Sequence, residues 1–345
     1  MKKCFFVPIV ICLLSFLFSS CDKDNWKEWQ GIDLPEISDI LLAMEDTAFM
    51  EFCLDYYDTD NNWRLSMAEA AAVERIAIPP DKYKIKSLKG IEYFTSLKSL
   101  NCSYQSIKSL DVSNNRYLSE LDCQHSQLES LDFSNNPSLA TINCLENNLS
   151  RLDISKNKGL KRLNCKSNHL SQLDVSNARY LAELYCYENE LTTLDVTKNI
   201  ALTCLNCSDN KIRDLNVTKN TLLTTLVCKN NQISTLDVSK NTTLTSLDCK
   251  GNNLSNLNVT NNNALTYLTC NDNKIEELDI SRNPALGILN SHHNRMTILD
   301  ISNNLALYIL CCGPQERTLT VLYTYGQVTD DLKRGNLDVI WKQKQ

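Results

Sequence analysis

Residues 163–199 read LNCKSNHLSQLDVSNARYLAELYCYENELTTLDVTKN and contain one pattern twice, with Cys165 and Cys186 at the same place in each copy. The pattern recurs every 21 residues, and residues 97–306 hold ten such units. A fixed period of this length indicates one small unit stacked on copies of itself, each covering its neighbour's apolar surface. The repeated slot holds Cys102, Cys123, Cys144, Cys165, Cys186, Cys207, Cys228, Cys249 and Cys270, and then Ser291 and Cys312.

Each unit follows the consensus LxxLxCxxNxLxxLDVSxNxx, in which Leu-x-Cys and Leu-Asp-Val alternate apolar and polar residues. Such alternation predicts two short strands per unit. Both should run parallel to their copies in the next coil, at a strand spacing of about 4.8 Å. Ten coils would then form a rod or shallow arc on the order of 50 Å long, with one apolar layer per coil.

The consensus resembles the leucine-rich repeat family, whose LxxLxLxxNxL pattern is matched by Leu181, Leu184, Cys186, Asn189 and Leu191. The resemblance implies a solenoid of parallel β coils, with the outward residues of the strands as its recognition surface. The second half of each unit is a shortened LxLxxN. We therefore expect a flattened coil whose back is a second strand or extended segment, not a helix.

Two columns of asparagine accompany the apolar positions. A chain that turns inside a stack leaves backbone donors and acceptors that water cannot reach, and an amide side chain can supply both kinds of partner. The sequence therefore predicts structural asparagine ladders. The first column holds Gln105, Ser126, Asn147, Asn168, Asn189, Asn210, Asn231, Asn252, Asn273 and Asn294, and the second holds Asn115, Asn136, Asn157, Ala178, Asn199, Asn220, Asn241, Asn262, Asn283 and Asn304.

Three interpretations of the cysteine column compete: small buried hydrophobic residues, isolated disulfides, and metal-bound thiolates. Burial among leucines favours the first, because it disfavours thiolates and because parallel neighbouring side chains point the same way. Outside the column, Cys311 should face outward beside Cys312, near His292 and His293. These residues suggest a thiolate and imidazole pair for zinc, although a full set of ligands cannot be assembled from the sequence.

The N-terminal residues, MKKCFFVPIVICLLSFLFSSC, combine two lysines with an apolar run too short to span a membrane, as in a secretion signal. The run ends at Cys21 in a sequence that resembles the lipobox of bacterial lipoproteins, which implies lipidation of Cys21. An ordinary cleaved signal is the alternative. The resemblance, with the acidic residues after Cys21, implies a lipid-anchored protein of the bacterial outer membrane, exposed at the surface.

A helix-loop-helix cap should cover the first coil, with helices at 37–52 and 67–76. The loop between them, with the helix start that follows, has the spacing of an EF-hand-like calcium loop, except that Trp63 takes the place of its glycine. The alternative is that Ser66 and Glu69 form a capping box for the second helix. The candidate calcium ligands are Asp58, Asp60, Asn62, Arg64 through its carbonyl, Ser66 and Glu69.

The chain thus divides into several segments. A helical cap followed by repeats resembles the N-terminal part of internalin-type surface proteins. At the far end, TLTVLYTY and NLDVIW predict two strands that close the array. The expected segments are a signal peptide at 1–20, a tether at 21–35, a helical N-terminal cap at 36–84, leucine-rich repeats at 85–312 and a β-rich C-terminal cap at 313–345.

Outward residues of the strands vary while the core does not, and aromatic side chains beside charges are typical anchors for proteins or sugar rings. We therefore expect a protein or glycan partner on this face; a structural spacer without a defined ligand is the alternative. On the back, a column of aspartates should either stabilise turns through nearby Ser or Thr, or attract a cation or basic partner. The candidate partner-binding residues are Arg162, Lys166, Glu183, Tyr185, Tyr187, Glu188 and His125, with Glu146 on the same face.

Composition argues against other classes of function. The net charge is −6 and the pI about 5.4, with lysines spread evenly, so no basic stripe is available for nucleic acid. The sequence has no catalytic triad pattern or phosphate-binding glycine loop, and only 8 glycines, so we do not expect an enzyme. We expect a monomer that requires no cofactor, contacts the membrane only through its anchor, and has an optional Ca²⁺ in the N-terminal cap.

Overall fold

The structure, a computed structural model, describes residues 40–324, 327 and 339–344. Cys21, the signal segment and the tether lie outside the described residues. No helix among those described is long and apolar enough to cross a membrane.

One sheet of twelve parallel strands runs through the repeats, and each unit contributes a strand of three residues. Neighbouring strands pair in a register of one repeat, so that Leu163 lies beside Leu184 and Leu184 beside Leu205. This confirms the leucine-rich repeat solenoid of parallel 21-residue coils. The strands are β1 (Arg75–Ala77), β2 (Ser99–Asn101), β3 (Glu120–Asp122), β4 (Thr141–Asn143), β5 (Arg162–Asn164), β6 (Glu183–Tyr185), β7 (Cys204–Asn206), β8 (Thr225–Val227), β9 (Ser246–Asp248), β10 (Tyr267–Thr269), β11 (Ile288–Asn290) and β13 (Ile309–Cys311).

The core has one apolar layer per coil. In the coil of β6, Leu184, Cys186, Leu191 and Val196 are completely buried. The whole cysteine column is buried in this way, as its interpretation as a set of small hydrophobic residues predicts. Burial raises the pKa of each of these thiols, that of Cys207 to about 12.

The back of the coils is extended, as expected, but the prediction of a strand at each Leu-Asp-Val was wrong. Among the described residues only one back segment forms a strand, β12 (Ile298–Asp300). The other back segments that the structure describes share no ladder of backbone hydrogen bonds. Asparagine side chains make the connection instead: Asn199 Nδ2 donates to the carbonyls of Val175 and Ala178 in the preceding coil, both at 2.8 Å.

The two asparagine columns differ in how fully they are satisfied. In the first, Asn189 Nδ2 donates to the carbonyl of Cys165 at 2.9 Å, and its Oδ1 accepts from the N–H of Leu170 at 3.0 Å. In the second, as at Asn199, the amide nitrogen makes two bonds but Oδ1 has no partner among the described residues. The expectation that both columns supply donors and acceptors therefore holds only for the first.

The N-terminal cap contains two α-helices, α1 (Thr47–Tyr57) and α2 (Met67–Ala72), with 3-10 turns at Ile40–Ala43 and Ile91–Tyr93. The prediction of a continuous helix over 37–52 was wrong. Asp46 accepts hydrogen bonds from the N–H groups of Ala48 and Phe49, so α1 begins at Thr47.

The second helix was predicted four residues too long. It ends at Ala72, and Ile76 lies instead in β1, fully buried and paired with Leu100 of β2. The helical periodicity that predicted a longer helix came from apolar residues that belong partly to α2 and partly to β1.

A second sheet closes the C-terminal end. Its three parallel strands are β12, β14 (Leu319–Tyr323) and β15 (Val339–Gln343). β14 falls within the first run predicted as a strand, and β15 begins within the second run and continues past its end at Trp341. Leu319 and Val321 are buried against the final coils, so this sheet covers the apolar edge that the last repeat would otherwise expose.

Candidate functional site

The outer face of the twelve-stranded sheet presents three side chains from each coil. Residues alternate across a strand, so Leu184 and Cys186 point into the core while Glu183, Tyr185 and Tyr187 point outward. Neighbouring coils place their equivalent side chains alongside. The result is a grid of outward residues with a fixed spacing. The grid contains Arg162, Lys166, Glu183, Tyr185 and Tyr187, while Glu188 and His125 lie in the turn that follows each strand.

The first group on this grid joins β5, β6 and β7. Arg162 Nε lies 3.3 Å from Glu183 Oε2, and the Arg162 guanidinium lies 5.7 Å from the centre of the Tyr185 ring. The Tyr185 hydroxyl donates to Glu183 Oε2 at 3.1 Å. Burial, then Cys204 of the next strand and Glu183, raise the pKa of Tyr185, so this ring keeps its hydroxyl proton.

The second group surrounds Lys166. Its ammonium lies 5.1 Å from the centre of the Tyr187 ring, 3.6 Å from Glu146 Oε1 and 3.8 Å from Glu188 Oε2. Burial acts to lower the pKa of Lys166, but Tyr187, Glu188 and Glu146 together raise it. The ammonium therefore stays charged, and it holds two carboxylates and an aromatic ring around one point.

The second group continues toward the N-terminal end through His125, whose Nδ1 lies 2.9 Å from Glu146 Oε2. The Tyr104 ring stacks on His125, with centres 4.5 Å apart and an interplanar angle of 14°. Sequence reasoning missed Tyr104. The 21-residue period could have found it, because Tyr104, His125 and Glu146 occupy the same place in successive coils.

That shared place has an unusual backbone conformation. Tyr104, His125, Glu146 and Glu188 have φ between 51° and 59°, the left-handed region. Residues other than glycine adopt it at a cost of roughly 1–2 kcal/mol. The conformation recurs in nearly every coil, for example at Asp209. It is therefore a requirement of the turn after each strand, not a sign of function at one coil.

The ion pairs of the face are partly exposed. Arg162 retains 55% of its side-chain exposure and Glu188 49%. Such pairs contribute little to stability, a median of about 0–1 kcal/mol. They can therefore exchange their partners for groups on a ligand at small cost, while the tyrosine rings supply flat apolar surface.

The aspartates in the column on the back of the coils form hydrogen bonds with residues close to them in sequence. Asp195 Oδ1 accepts hydrogen bonds from the Thr197 backbone N–H at 2.8 Å and its hydroxyl at 2.6 Å. These bonds lower the pKa of Asp195. The same bond to the backbone N–H two residues later occurs at Asp111, Asp132, Asp153, Asp174, Asp237, Asp279 and Asp300, and at Asn216 and Asn258. The turn-stabilising interpretation accounts for the column.

The acidic loop of the cap gathers Asp58, Asp60 and Glu69, whose carboxylate oxygens lie within 4.8 Å of one another. Trp63 adopts φ 63°, the conformation that favours the glycine of an EF-hand-like loop. Asn62 Oδ1 accepts from the Arg64 N–H at 2.8 Å. The donor set fits a hard cation such as Ca²⁺, and binding of calcium here stays a prediction.

The capping-box interpretation of the same residues is confirmed. Ser66 Oγ accepts from the Glu69 N–H at 3.2 Å, and Glu69 Oε2 accepts from the Ser66 N–H at 3.0 Å. The other carboxylate oxygen accepts two bonds from Thr59, both at 2.7 Å. Although burial acts to raise it, these hydrogen bonds from Ser66 and Thr59 lower the pKa of Glu69 to about 2.

A third cluster lies on the outer face near the C-terminal end, where Asp272, His292 and His293 place ligand atoms within 4.8 Å of one another. Cys311, which the sequence suggested as a zinc ligand with the two histidines, does not belong to this group. Asp272 takes its place, because it is the residue one coil before His293.

Comparison with solved structures identifies relatives of the fold. The functional domain of InlJ from Listeria monocytogenes, described as including a cysteine ladder, has 30% identity and a TM-score of 0.75, covering 88% of this chain and 70% of that one. The internalin InlF of the same organism has 23% identity and a TM-score of 0.71, covering 89% and 97%. A leucine-rich repeat protein of Leptospira interrogans has 19% identity and a TM-score of 0.58, covering 81% and 86%.

No protein-family model and no curated protein sequence matches the chain. The InlJ domain matches it in sequence as well as in fold, and over most of the length of both chains. That domain is described as including a cysteine ladder, and the present chain has a column of buried cysteines at its 21-residue period. The chain belongs to the internalin-like leucine-rich repeat proteins.

Proposed function

We propose that this chain is a non-catalytic protein of the bacterial cell envelope, lipid-anchored through Cys21, that binds a protein or glycan through the outer face of the twelve-stranded sheet. The observation that carries the proposal is the pairing of Tyr185 with Arg162 and of Tyr187 with Lys166 on adjacent coils. Two rings and two cations on a regular sheet form a preorganised surface, and rigid aromatic anchors dominate binding energy at such surfaces.

The chemistry of the face favours a partner with both polar and flat apolar parts. The carboxylates of Glu146 and Glu188 accept hydrogen bonds, the cations of Arg162 and Lys166 donate them, and the tyrosine rings can stack on a sugar ring or an aromatic side chain. Leucine-rich repeat solenoids typically serve as interaction modules, which agrees with a binding role.

A screen of the intact chain against glycans and extracellular proteins tests this function. Tyr185→Ala and Tyr187→Ala should each weaken binding of the ligand found by about tenfold or more, since loss of an aromatic anchor costs upward of about 1–2 kcal/mol. Tyr180→Ala is the matched control, because Tyr180 is 67% exposed but lies on the turn before the strand. Equal binding by all three variants would refute the assignment of the face.

The alternative is a structural spacer without a defined ligand. Its support is that the charges of the face already pair with one another, as Arg162 does with Glu183. A complete absence of saturable binding to glycans and proteins would favour it.

The location is tested separately. Radioactive palmitate should label the wild-type chain in bacteria but not the Cys21→Ala variant, and protease added to intact cells should remove the protein. Labelling that survives the substitution would refute anchoring at Cys21. If the protein on intact cells is not degraded by the added protease, exposure at the surface is refuted.

A further inference from the structure

The two adjacent histidines of the outer face meet a carboxylate from the neighbouring coil. His293 Nδ1 lies 2.8 Å from Asp272 Oδ1, and the rings of His292 and His293 are 4.6 Å apart at a steep angle. One ligand atom from each of the three residues lies within 4.8 Å of those of the other two. Two imidazoles and a carboxylate are a donor set that zinc and its neighbours among the transition metals prefer.

A neighbouring amide orients the first imidazole. His292 Nδ1 lies 2.5 Å from Asn290 Oδ1, which can only accept, so the hydrogen of the neutral ring is assigned to Nδ1 and the lone pair to Nε2. Metal-binding histidines are commonly held in this way by a hydrogen bond at the other ring nitrogen.

Asn271 supplies an independent observation. It is completely buried, and its Oδ1 has no hydrogen-bond partner within the described part of the chain. Its Nδ2 donates to Asp272 Oδ2 at 2.6 Å and lies 3.3 Å from His292 Nε2. The polarised amide nitrogen thus occupies the space between two acceptors, which is where a cation would be attracted. Rotation of the amide would turn the unpaired oxygen toward the same point.

We propose that Asp272, His292 and His293 bind a divalent transition-metal ion of the zinc class, with Asn271 Oδ1 as fourth ligand. Tetrahedral ligands of zinc are about 3.3 Å apart, so His293 and Asp272 must separate slightly from their present distance. Both are partly exposed and can move. His293 binds through Nδ1 in the tautomer that carries its hydrogen on Nε2, and no net proton is lost from a neutral ring.

One nearby charge opposes the metal. Lys250 Nζ lies 3.8 Å from Asp272 Oδ2, where its positive charge repels a divalent cation and competes for the carboxylate. Removing this charge should strengthen binding of the metal. A purely structural role for the cluster would not lead to that expectation.

The chain also contains a matched control on the same face. His125 occupies the same place as His293 and also pairs with a carboxylate, that of Glu146. The residue before it is Gln124, not a second histidine. This pair therefore has a partly exposed imidazole and a carboxylate but lacks the third ligand.

Isothermal titration of the full chain with zinc chloride tests the site. The wild type should bind zinc at a single class of site, and Asp272→Asn, His292→Ala and His293→Ala should each weaken the affinity by about tenfold or more. Lys250→Gln should tighten it, and His125→Ala should leave it unchanged. Circular dichroism checks that each variant is folded. Asp272→Asn preserves the shape of the side chain at a partly exposed position, so the test stays valid even if a histidine variant does not fold.

Two results would overturn the proposal. The first is the absence of zinc binding by the folded wild type. The second is binding that persists in the folded variants of the three ligands, since zinc held by thiols or by other surface residues would not respond to them.

Discussion

The Oδ1 of Asn147 accepts a hydrogen bond from the backbone N–H of Leu128, in the preceding coil, at 2.8 Å. The amide nitrogen of Asn147 donates to the carbonyls of Cys123 and Cys144, both at 3.0 Å. One side chain therefore joins two coils at a corner where no backbone partner is within reach. Repetition of this arrangement explains why the column tolerates so few other residues within the repeats.

Replacing Asn147 with alanine should lower the free energy of unfolding by about 1–3 kcal/mol, because buried backbone groups of two coils lose their partners. Denaturant unfolding followed by circular dichroism measures the change. The adjacent Asn148 is the control: it is exposed and makes one long bond, 3.5 Å, to the carbonyl of Gln127. Asn148→Ala should have little effect, and equal losses from both variants would contradict the role given to the column.

The buried cysteines should be chemically inert in the folded protein. Only the thiolate reacts with alkylating agents, and burial raises the pKa of Cys165 well above its ordinary value. Among the described cysteines, Cys204 and Cys311 are half-buried on the outer face and should be labelled first by iodoacetamide. Mass spectrometry of the labelled peptides measures the order. Labelling of native Cys165 as fast as that of Cys204 would mean that the dry interior does not exist.

The 21-residue period made the solenoid predictable from sequence, because every coil repeats the same burial pattern and a single unit such as Leu184-x-Cys186 determines its neighbours. Breaks in the period were harder to foresee. The start of α1 depends on one capping side chain, Asp46, within a continuous apolar pattern. The partner of His293 lies one coil away at Asp272, and only the register of the stack brings the two together.

The contacts on the outer face could be predicted only in part. Sequence identified Tyr185 and Tyr187 as unusual, because the period fixed their orientation. The sequence also placed Arg162 and Lys166 around them, but which cation packs against which ring depends on side-chain rotamers, which no pattern of residues specifies.

The aspartate column should make stability depend on pH in the acidic range. Its hydrogen bonds lower the pKa of Asp153, Asp195 and Asp237 in the folded chain. A carboxyl whose folded pKa is depressed stabilises the fold above its unfolded pKa, about 3.9, and loses that contribution as the pH falls through the folded value. The melting temperature should therefore fall most steeply below about pH 4.

A variant with Asp153, Asp195 and Asp237 all changed to asparagine should remain folded, because Asn258 already accepts the equivalent bond from the Thr260 N–H at 3.0 Å. Its melting temperature should drop less than that of the wild type between about pH 5 and pH 3. Asp214→Asn, at an exposed aspartate outside the column, is the control. If the melting temperatures of the triple variant and the wild type fall identically with pH, the aspartate column is not the cause of the acid sensitivity.

Calcium binding by the acidic loop can be separated from helix capping, although Glu69 takes part in both. Glutamine also serves at this position of a capping box, so Glu69→Gln should keep the cap but lose the charged, bidentate ligand that Ca²⁺ requires. Ser66→Ala removes the hydroxyl that caps α2. Ser66 is also the candidate ligand at the ninth place of the loop, which often binds through water, but the substitution leaves the carboxylates of Asp58, Asp60 and Glu69 in place.

Melting temperatures with millimolar Ca²⁺ and with a chelator distinguish the two roles, because a ligand that binds only the folded state raises the melting temperature. The wild type should gain stability from Ca²⁺, and Glu69→Gln should gain none. Ser66→Ala should begin about 1 kcal/mol less stable yet still respond to Ca²⁺. If the wild type does not respond, the loop is a helix cap alone. If Glu69→Gln responds as strongly as the wild type, calcium binds elsewhere, because the twelfth position of such a loop supplies the ligand that closes the coordination sphere.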